Sequence, residues 1–547
     1  MEDSERKMDG LVALAMPNRW PKSAGSGSPS AKAALLCCVH GRPRRVGDHA
    51  KPSHTLIHCE VQTHSRFPIR PKMGSEHQRG GGGGSGEDRI SGLPDPLLHE
   101  ILVCLRSADA AARTSVLSRR WRHVWAHLPK LHLVAPPTAD PTSFPGTVDA
   151  ALGGYLAPTL EHLGVSHSTE QQFRDLRIPA RRIAPWLHFA AEHVVGEINL
   201  YLCVPQTFVA PEVDGEKVVL ELPVCERAKR IELHLQYAYT TWLRPQASGL
   251  FAALTSLKID GYVRMEGSDL SALVNTQCPC LRDLNLFITL IVIFDVFIHS
   301  NSLHTLVLRL LETRRLEILA PRLEELIISI RPMEAQISAP KLVKVTWRDA
   351  YDPHLNRFVD VGRRLQLLET SRQAALALTK QFDEVDELNM SIDLYFPDAA
   401  KYESFLNETN KLPKCKSFHI FMSWKHHALM PVMLHLLRSC NDTKKLRIHL
   451  FGPSSRQVMH SCWPSCLCRL EESRKIDAID LSSLEVAEIS GFSGSHEQME
   501  LVELLSSNAG VLKRLLINGG YHRRPKQQVC ERVRSMCHPN VKVEFGE

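Results

Sequence analysis

The chain has 547 residues, of which 44% are hydrophobic and 23% charged, a composition typical of a globular protein with several domains. Residues 1–86 hold 13 Lys and Arg against 7 Asp and Glu, which accounts for the whole net charge of +6. The remainder is neutral, which argues against nucleic-acid binding, because phosphate binding needs basic residues concentrated on one face. The 15 cysteines form no regular framework, so we expect reduced thiols in the cytoplasm and/or nucleus.

The first 86 residues are rich in Pro, Ser, Gly, His and Arg and lack sustained hydrophobic periodicity. We predict that residues 1–86 are a disordered basic and Gly-rich extension. Its glycine run has no following Gly-Lys-[Ser/Thr] and is not a phosphate loop. No signal-peptide pattern is visible, and the most apolar stretch, 286–298, is short and contains Asp295. We therefore predict buried core at 286–298 and no membrane partner.

A small helical module is predicted between residues 88 and 131. Its first helix begins in "LPDPLLHEILVCL", where Asp95 can cap the helix and Pro96 follows at a position that needs no N–H donor. Apolar residues at a spacing of four form one face of this helix: Leu97, Ile101 and Leu105. A module of about 45 residues is small for an independent core. It therefore packs on a neighbouring domain or shares apolar surface with a partner.

The basic, aromatic segment "LSRRWRHVWAHLPKL" at 117–131 closes this module. We predict a second helix after Ser107 and a third after Ser118. Apolar side chains repeat at helical spacing along the third helix: Trp121, Trp125 and Leu128. Most of its arginines lie off that stripe. The pattern predicts buried tryptophans and solvated arginines rather than a helix that reads nucleic acid.

Segments of the form L-x-x-L-x-L recur beyond a proline-rich stretch, 135–150, that we predict to be a linker. Four of them are "CPCLRDLNL", "SNSLHTLVL", "APRLEELII" and "APKLVKVTW", and their first apolar positions recur about every 20 residues. The apolar positions are Leu281, Leu284, Leu286, Leu303, Leu306, Leu308, Leu323, Leu326, Ile328, Leu342, Val345 and Trp347. This repeat predicts an α/β leucine-rich solenoid in which each repeat packs against its neighbours.

Residues that alternate with these leucines should point outward from the concave sheet of the solenoid. We predict that they contact a target protein: Asp283, Asn285, Thr305, Val307, Glu325, Ile327, Lys344 and Thr346. An ordinary solvated sheet face is the alternative for each of them. Less regular segments upstream, from residue 228, and downstream, to residue 517, continue the pattern.

Two parts of the chain resemble known domains. The segment "DRISGLPDPLLHEILVCLRSADAAARTSVLSRRWRHVWAHLPKL" resembles the F-box of plant F-box/leucine-rich-repeat proteins, and the C-terminal segment from about residue 465 resembles the FBD domain of many of them. Arg106 stands where that family often has proline. The predicted architecture is a three-helix F-box (87–134), a linker (135–150), an irregular leucine-rich-repeat region (151–460) and an FBD-like C-terminal domain (461–547).

The resemblance implies the substrate-recognition subunit of an SCF-type, cullin–RING ubiquitin ligase, with a Skp-family adaptor on the F-box and an unknown target on the repeats. An adaptor groove would receive apolar helix-face side chains. The expected adaptor-binding residues are Leu93, Pro94, Leu97, Ile101, Leu102, Val116, Leu117 and Trp121. Trp125 and Leu128 are expected to close the core of the module instead. Intramolecular packing is the alternative for each single residue.

Signatures of catalysis are missing from the sequence. It contains no nucleophile elbow, kinase signature or phosphate loop, so we predict no enzymatic activity and no cofactor. Cys462, Cys466 and Cys468 lack a convincing fourth ligand, so we predict no metal. Two other functions remain open: a leucine-rich-repeat scaffold with a non-functional F-box, and a nucleic-acid binder that uses the basic extension. The intact "LPD" and "LL..IL" pattern favours the ligase subunit.

Overall fold

The computed structural model describes most of the chain beyond residue 91. The described ranges are 92–105, 111–112, 114–117, 119–135, 141–167, 178–203, 218–236, 241–329, 333–370, 373–393, 399–423, 429–451, 479–520 and 525–546. They all belong to one unit, Gly86–Glu547. Several predicted features lie outside the described residues: the extension 1–86, the helix caps Ser107 and Ser118, and the cysteines Cys462, Cys466 and Cys468.

In the described part of the predicted helical module, two short helices have defined bounds, and residues 111–112 are also helical. Helix α1 is Asp95–Cys104, and its N-cap is Pro94, so Asp95 is the first helical residue and not the cap as predicted. Helix α2 is Trp121–Val124 and continues as a 3-10 turn, Trp125–His127. A second 3-10 turn, Thr114–Val116, lies between them. The apolar core of the module includes Leu98, Leu102, Ala111, Trp121, Val124 and Leu128.

Seven further helices with defined bounds and twenty strands make up most of the rest of the described chain. The further helices are α3 Phe144–Gly153, α4 Ala180–His193, α5 Gly267–Ala272, α6 Ala399–Thr409, α7 Leu429–Leu437, α8 His496–Asn508 and α9 Gln527–Met536. The strands are β1 Lys130–Val134, β2 Leu160–Ser166, β3 Val194–Cys203, β4 Val218–Leu222, β5 Arg230–Gln236, β6 Thr241–Pro245, β7 Ser256–Met265, β8 Asp283–His299, β9 Thr305–Leu319, β10 Glu325–Ile328, β11 Glu334–Ser338, β12 Lys344–Trp347, β13 Asn356–Val359, β14 Arg364–Thr370, β15 Glu384–Asp393, β16 Lys414–Ser423, β17 Lys445–Phe451, β18 Val486–Phe492, β19 Arg514–Gly519 and β20 Lys542–Gly546.

The strands pair in parallel, and most of them form one long row that we call the first row. Its order is β1, β2, β3, β5, β7, β8, β9, β10, β12, β14, β15, β16, β17, β18, β19 and β20. Leu284, Leu306, Leu326 and Val345 are paired across adjacent strands, and all four are buried. The structure therefore confirms the α/β leucine-rich solenoid, whose leucines pack between consecutive repeats.

A second row of strands covers the back of the solenoid between residues 218 and 359. It consists of β4, β6, β11, β13 and the C-terminal parts of β7, β8 and β9. We call residues 218–359 the strand-backed middle. Elsewhere, at residues 130–193 and 373–546, helices lie between first-row strands, and we call these parts the helix-backed ends.

Strand β7 passes from the first row to the second at Gly261. This glycine has φ +143, and a Cβ atom there would lie 1.9 Å from the carbonyl oxygen of Leu235. The ladder with β8 shifts register at the same place, between Asp260 and Arg264. Only glycine fits so close to a neighbouring backbone at positive φ, and the bend it permits lets one strand serve both rows.

The predicted linker is wrong over its second half. Residues from Phe144 onward form α3, which buries Phe144, Val148 and Leu152 at helical spacing. The repeat region also begins earlier than the predicted residue 151, because β1 is already paired with β2. Apolar side chains at i, i+4 and i+8 form a helical stripe. The prolines in the same stretch are typical of a loop, which is why a linker was predicted here instead of a helix.

The C-terminal segment continues the same sheet rather than starting a new one, because β18 pairs with β17. The buried Gln498 in the first turn of α8 accepts hydrogen bonds from the backbone N–H groups of Ser493 (2.8 Å) and Gly494 (3.0 Å). The repeat pattern in the sequence ends at residue 517, whereas in the structure α9 and β20 add one more helix–strand unit beyond α8 and β19. None of the helices in the described ranges is long and apolar enough to cross a membrane.

Candidate protein-interaction site

One face of α1 is apolar and exposed. Leu97, Ile101 and Leu105 have exposed fractions of 44%, 42% and 45%, and their spacing of four residues places them on the same side of the helix. Val116 and Leu117, at the end of the 3-10 turn, are 85% and 64% exposed. We call these five side chains the exposed apolar surface. Large apolar side chains that stay exposed on a folded protein mark candidate sites of protein–protein contact.

Two residues predicted to face the adaptor lie in the interior. Leu102 is 2% exposed and Trp121 is 3% exposed, so neither can offer surface to a partner in this conformation. Leu102 follows Ile101 by one residue and is therefore rotated by about 100° around the helix, towards α2. Leu105, which sequence reasoning placed on the same face as Leu97 but left out of the adaptor set, belongs to the exposed apolar surface. Its helical spacing was the signal.

Arg120 links the start of α2 to the start of α1. Its guanidinium donates to the carbonyl oxygen of Leu93 at 2.6 Å and, through Nε, to the carboxylate of Asp95 at 3.1 Å. The guanidinium holds the pKa of Asp95 below its usual value. Leu93 is half-buried against the core, whereas Pro94 is exposed. The start of α1 is thereby fixed against α2, and the arginine, although exposed, has a structural role.

A second polar contact holds the two helices together. Nε2 of His99 on α1 lies 3.1 Å from the carbonyl oxygen of Val124 at the end of α2. Leu128 is buried just beyond this point, and Trp125 is half-buried against the same core. The exposed apolar surface is therefore presented by a module whose helices are fixed relative to each other.

The module continues directly into the solenoid, because β1 begins three residues after the 3-10 turn ends at His127. The hydroxyl of Tyr155 lies 3.0 Å from the carbonyl oxygen of Leu128 and 2.9 Å from that of Thr159. The N–H of Leu156 donates to the carbonyl oxygen of Ala126 at 2.9 Å. Burial raises the pKa of Tyr155 to about 12, so its hydroxyl stays protonated and available as a donor.

The eight predicted target-facing residues come together as two adjacent rows across β8, β9, β10 and β12. The first consists of Asp283, Thr305, Glu325 and Lys344, and the second of Asn285, Val307, Ile327 and Thr346. Val307 and Thr346 are 9% and 5% exposed, so their inclusion as accessible residues is corrected: neighbouring side chains cover them. Six of the eight retain accessible surface.

A third row lies on the same face, two residues further along each strand, and the sequence prediction missed it. It consists of Phe287, Arg309, Ser329 and Arg348. Each of these four is half-buried. The signal was present, since the same alternation that identified the first two rows extends to these positions. The prediction stopped at the end of the L-x-x-L-x-L pattern.

Two segments of the chain match known protein domains. An F-box domain matches residues 90–133, and an FBD segment matches residues 481–517. F-box/LRR-repeat protein 25 of Arabidopsis thaliana is 30% identical over 207 residues, which cover 36% of this chain and 67% of that protein. The chain belongs to the plant F-box/leucine-rich-repeat family. The FBD match places it with the members of the family that carry this C-terminal segment, as the sequence predicted.

Two other relatives cover different shares of this F-box/leucine-rich-repeat protein. An FBD-associated F-box protein of Arabidopsis thaliana is 23% identical over 464 residues, which cover 79% of this chain and 88% of the relative. An F-box/FBD/LRR-repeat protein of the same plant is 46% identical over 87 residues, which cover 15% of this chain and 19% of the relative. The first of these alignments extends over most of both chains.

The matched segments have a direct structural meaning. The F-box match ends at residue 133, inside β1, so the F-box and the solenoid share their boundary strand. The FBD match at 481–517 covers β18, α8 and most of β19, which together make one helix-backed repeat. The F-box match indicates an adaptor-type protein.

Proposed function

We propose that this protein is the substrate-recognition subunit of an SCF-type, cullin–RING ubiquitin ligase. Its F-box binds a Skp-family adaptor, and its leucine-rich repeats bind a target protein. The chain itself carries out no catalytic step. It acts in the cytoplasm and/or nucleus, and neither nucleic acid nor a membrane is among its partners.

The observation that carries this proposal is the exposed apolar surface on the F-box. Five large apolar side chains remain accessible on a module whose core side chains, such as Leu98 and Leu102, are buried. A helix face with apolar residues at i, i+4 and i+8 fits a hydrophobic groove on a partner. Burying such side chains in a complex supplies most of the binding energy of an interface of this kind.

The concave sheet supports the second half of the proposal. Its outward rows combine charged, amide and hydroxyl side chains over many consecutive strands, which offers an extended surface for a folded or unfolded target. This surface is separated along the chain from the F-box, so an adaptor and a target can be bound at the same time.

A binding experiment with the full chain tests the adaptor half. We expect a purified plant Skp-type adaptor to bind the parent protein, and the double variant Leu97→Glu/Leu117→Glu to bind at least about tenfold more weakly, because two charges would be placed in an apolar interface. Leu250, which is 51% exposed in a turn of the solenoid, provides the matched control Leu250→Glu, which should bind like the parent.

Circular dichroism establishes that each protein is folded before binding is compared. If the folded parent does not bind the adaptor, the ligase proposal is wrong, and the protein is a leucine-rich-repeat scaffold whose F-box has another use. If both variants bind like the parent, the exposed apolar surface is not the docking site.

A further inference from the structure

Three residues of the third row are neighbours on consecutive strands: Arg309, Ser329 and Arg348. Backbone hydrogen bonds of 2.8 and 2.7 Å tie Ser329 and Arg348 to the strands that precede them. Each of the three directly follows a fully buried core residue, namely Leu308, Ile328 and Trp347. Alternation along the strands therefore places all three side chains on the outward, concave face.

Two hydrogen-bond donors in this group have no partner among the described residues. Nε of Arg309 and Oγ of Ser329 are both buried and make no hydrogen bond there. A buried donor without an acceptor costs free energy, and more so when it belongs to a charged group. An acceptor that enters from outside the chain would remove this cost at both atoms.

Arg309 is a half-buried cation that forms no ion pair in the described part of the chain. Its guanidinium carbon lies 5.9 Å from the centre of the Phe287 ring, which supports the cation from one side. Its charge contributes to lowering the pKa of Asp260, although a hydrogen bond from His234 is the main cause of that shift. No carboxylate among the residues that the structure describes neutralises Arg309 directly, so the site favours an anion.

Arg348 supplies a second cation on the other side of Ser329. Nη2 of Arg348 lies 4.0 Å from Oε1 of Glu369, which is too long for a hydrogen bond, and the side chain is 40% exposed. The two arginines are two strand spacings apart, about 10 Å between backbones. Since the side chain between them is a small serine, their guanidinium groups can approach one bound group from opposite sides.

We propose that Arg309, Ser329 and Arg348 form a binding site for a phosphate group on the concave face of the solenoid. Guanidinium groups donate paired N–H bonds to phosphate oxygens, and the serine hydroxyl donates a further bond to the same tetrahedral group. This inference rests on the proposed function in one respect, namely that the concave face is where a target is recognised. The phosphate can be carried on a side chain of that target or on a free small molecule.

Titration calorimetry of the full chain with inorganic phosphate, against chloride at equal ionic strength, tests the site. We expect the parent to bind phosphate, and Arg309→Gln and Arg348→Gln each to weaken binding about tenfold or more. Ser329→Ala should weaken it by a smaller factor. Arg322 is exposed in the turn before β10, so Arg322→Gln removes the same charge nearby and should leave binding unchanged.

Phosphoserine peptides of mixed sequence then identify the source of the phosphate. Tighter binding of these peptides than of inorganic phosphate, with the preference lost in Arg309→Gln, indicates a phosphorylated target side chain. Peptides that bind no better than the ion leave the site in place and indicate a free phosphate compound. The Arg348 side chain is 40% exposed, so Arg348→Gln keeps the test decisive if Arg309→Gln does not fold.

Two outcomes overturn the inference: a folded parent that does not bind phosphate, or binding that Arg309→Gln and Arg348→Gln leave as strong as in Arg322→Gln. Adaptor binding, measured on the same preparations, separates this result from the ligase proposal. If the adaptor binds and phosphate does not, only the phosphate site is wrong. If phosphate binds and the adaptor does not, the site stands without the ligase.

Discussion

The strand-backed middle and the helix-backed ends share one first-row sheet but close their repeats differently. In the middle, the paired residues Asp283, Thr305, Glu325 and Lys344 recur about every 20 residues along the chain. In the C-terminal helix-backed end, Val486, Arg514 and Lys542 recur about every 28 residues. Among these repeats, the short ones are covered by a second strand and the long ones by a helix.

The reason is the length of chain left after the first-row strand. A repeat of about 28 residues has room for a helix such as α8, His496–Asn508, and for two turns. A repeat of about 20 residues has room only for a second short strand such as β11, Glu334–Ser338. Short repeats are joined to their neighbours by two rows of hydrogen-bonded strands. Long repeats are joined by one such row and by a helix that packs on neighbouring repeats only through side chains.

The largest expected effect comes from a matched pair of core leucines. Leu326 in the strand-backed middle and Leu388 in a helix-backed end occupy the same position of the first row, and both are fully buried. Each change to Ala should lower the free energy of unfolding by about 2–5 kcal/mol. We expect Leu326→Ala to cost more, because hydrogen-bonded strands on both sides resist collapse into the cavity, whereas a helix can shift.

Urea denaturation followed by circular dichroism, with hydrogen exchange to locate the loss, measures this difference. Equal costs, or a larger cost at Leu388, would mean that the backing element does not control how the core relaxes.

The next effect concerns the bend where a strand enters the second row. Gly261→Ala places a Cβ atom against the Leu235 carbonyl at positive φ, and we expect a loss of at least about 2 kcal/mol. Gly510 has open space around it, so Gly510→Ala should change stability by less than about 1 kcal/mol. Thermal denaturation compares the two. A neutral Gly261→Ala would show that the bend does not need glycine.

A smaller effect is expected at the junction of the F-box and the N-terminal helix-backed end. Tyr155→Phe removes the hydroxyl that contacts the Leu128 and Thr159 carbonyls and should cost about 1 kcal/mol. Hydrogen exchange should show the loss in β1 and the 3-10 turn before it, and leave the strand-backed middle unchanged. Loosening confined to the middle would contradict a role for Tyr155 at the junction.

The smallest effect is a pH dependence that should distinguish the two regions. Burial, aided by the charge of Arg438, lowers the pKa of His435 on α7 below its usual 6.5, against the opposing hydrogen bond to Thr409. The unfolded chain therefore takes up a proton before the folded one does. The neutral His435 side chain therefore contributes to stability above pH 6.5. This contribution is lost as the pH falls towards the lowered pKa of His435 in the folded protein.

Hydrogen exchange at about pH 7.5 and about pH 5.5, corrected for the intrinsic rate, should show α7 loosening while the strand-backed middle does not. His435→Gln should reduce this pH dependence, and His354→Gln, at an exposed position in the middle, should not. If the strand-backed middle loosens before α7 as the pH falls, the burial of His435 does not determine which region loosens first.

Much of the first row could be predicted from sequence, because a leucine at each inward position is the strongest local pattern in the chain. The second row could not. Its strands, such as Val218–Leu222 and Asn356–Val359, are four or five residues long, and their burial depends on a neighbouring repeat rather than on local periodicity. The segments "VVLEL" and "EAQIS" do alternate between apolar and polar residues, but they are too short for the alternation to predict a strand.

The interaction site on the F-box was predicted only in part, because burial there also depends on a neighbouring element. A spacing of four identified the face that contains Leu97 and Ile101, and the structure leaves it exposed. The same spacing also gives Leu98 and Leu102, and sequence alone cannot say which of two adjacent apolar faces turns inward. That choice depends on Trp121 and Val124, which come from another helix and form the other side of the core.

The boundary strand shared by the F-box and the solenoid has a geometric consequence for assembly. Because β1 is the first strand of the sheet, the position of any outward residue relative to the F-box is set by the number of first-row strands between them. Arg309 on β9 is six strand spacings from β1, about 29 Å along the sheet. Gain or loss of one repeat would move every later residue by about 5 Å, so repeat number would determine how far a bound target stands from a docked adaptor.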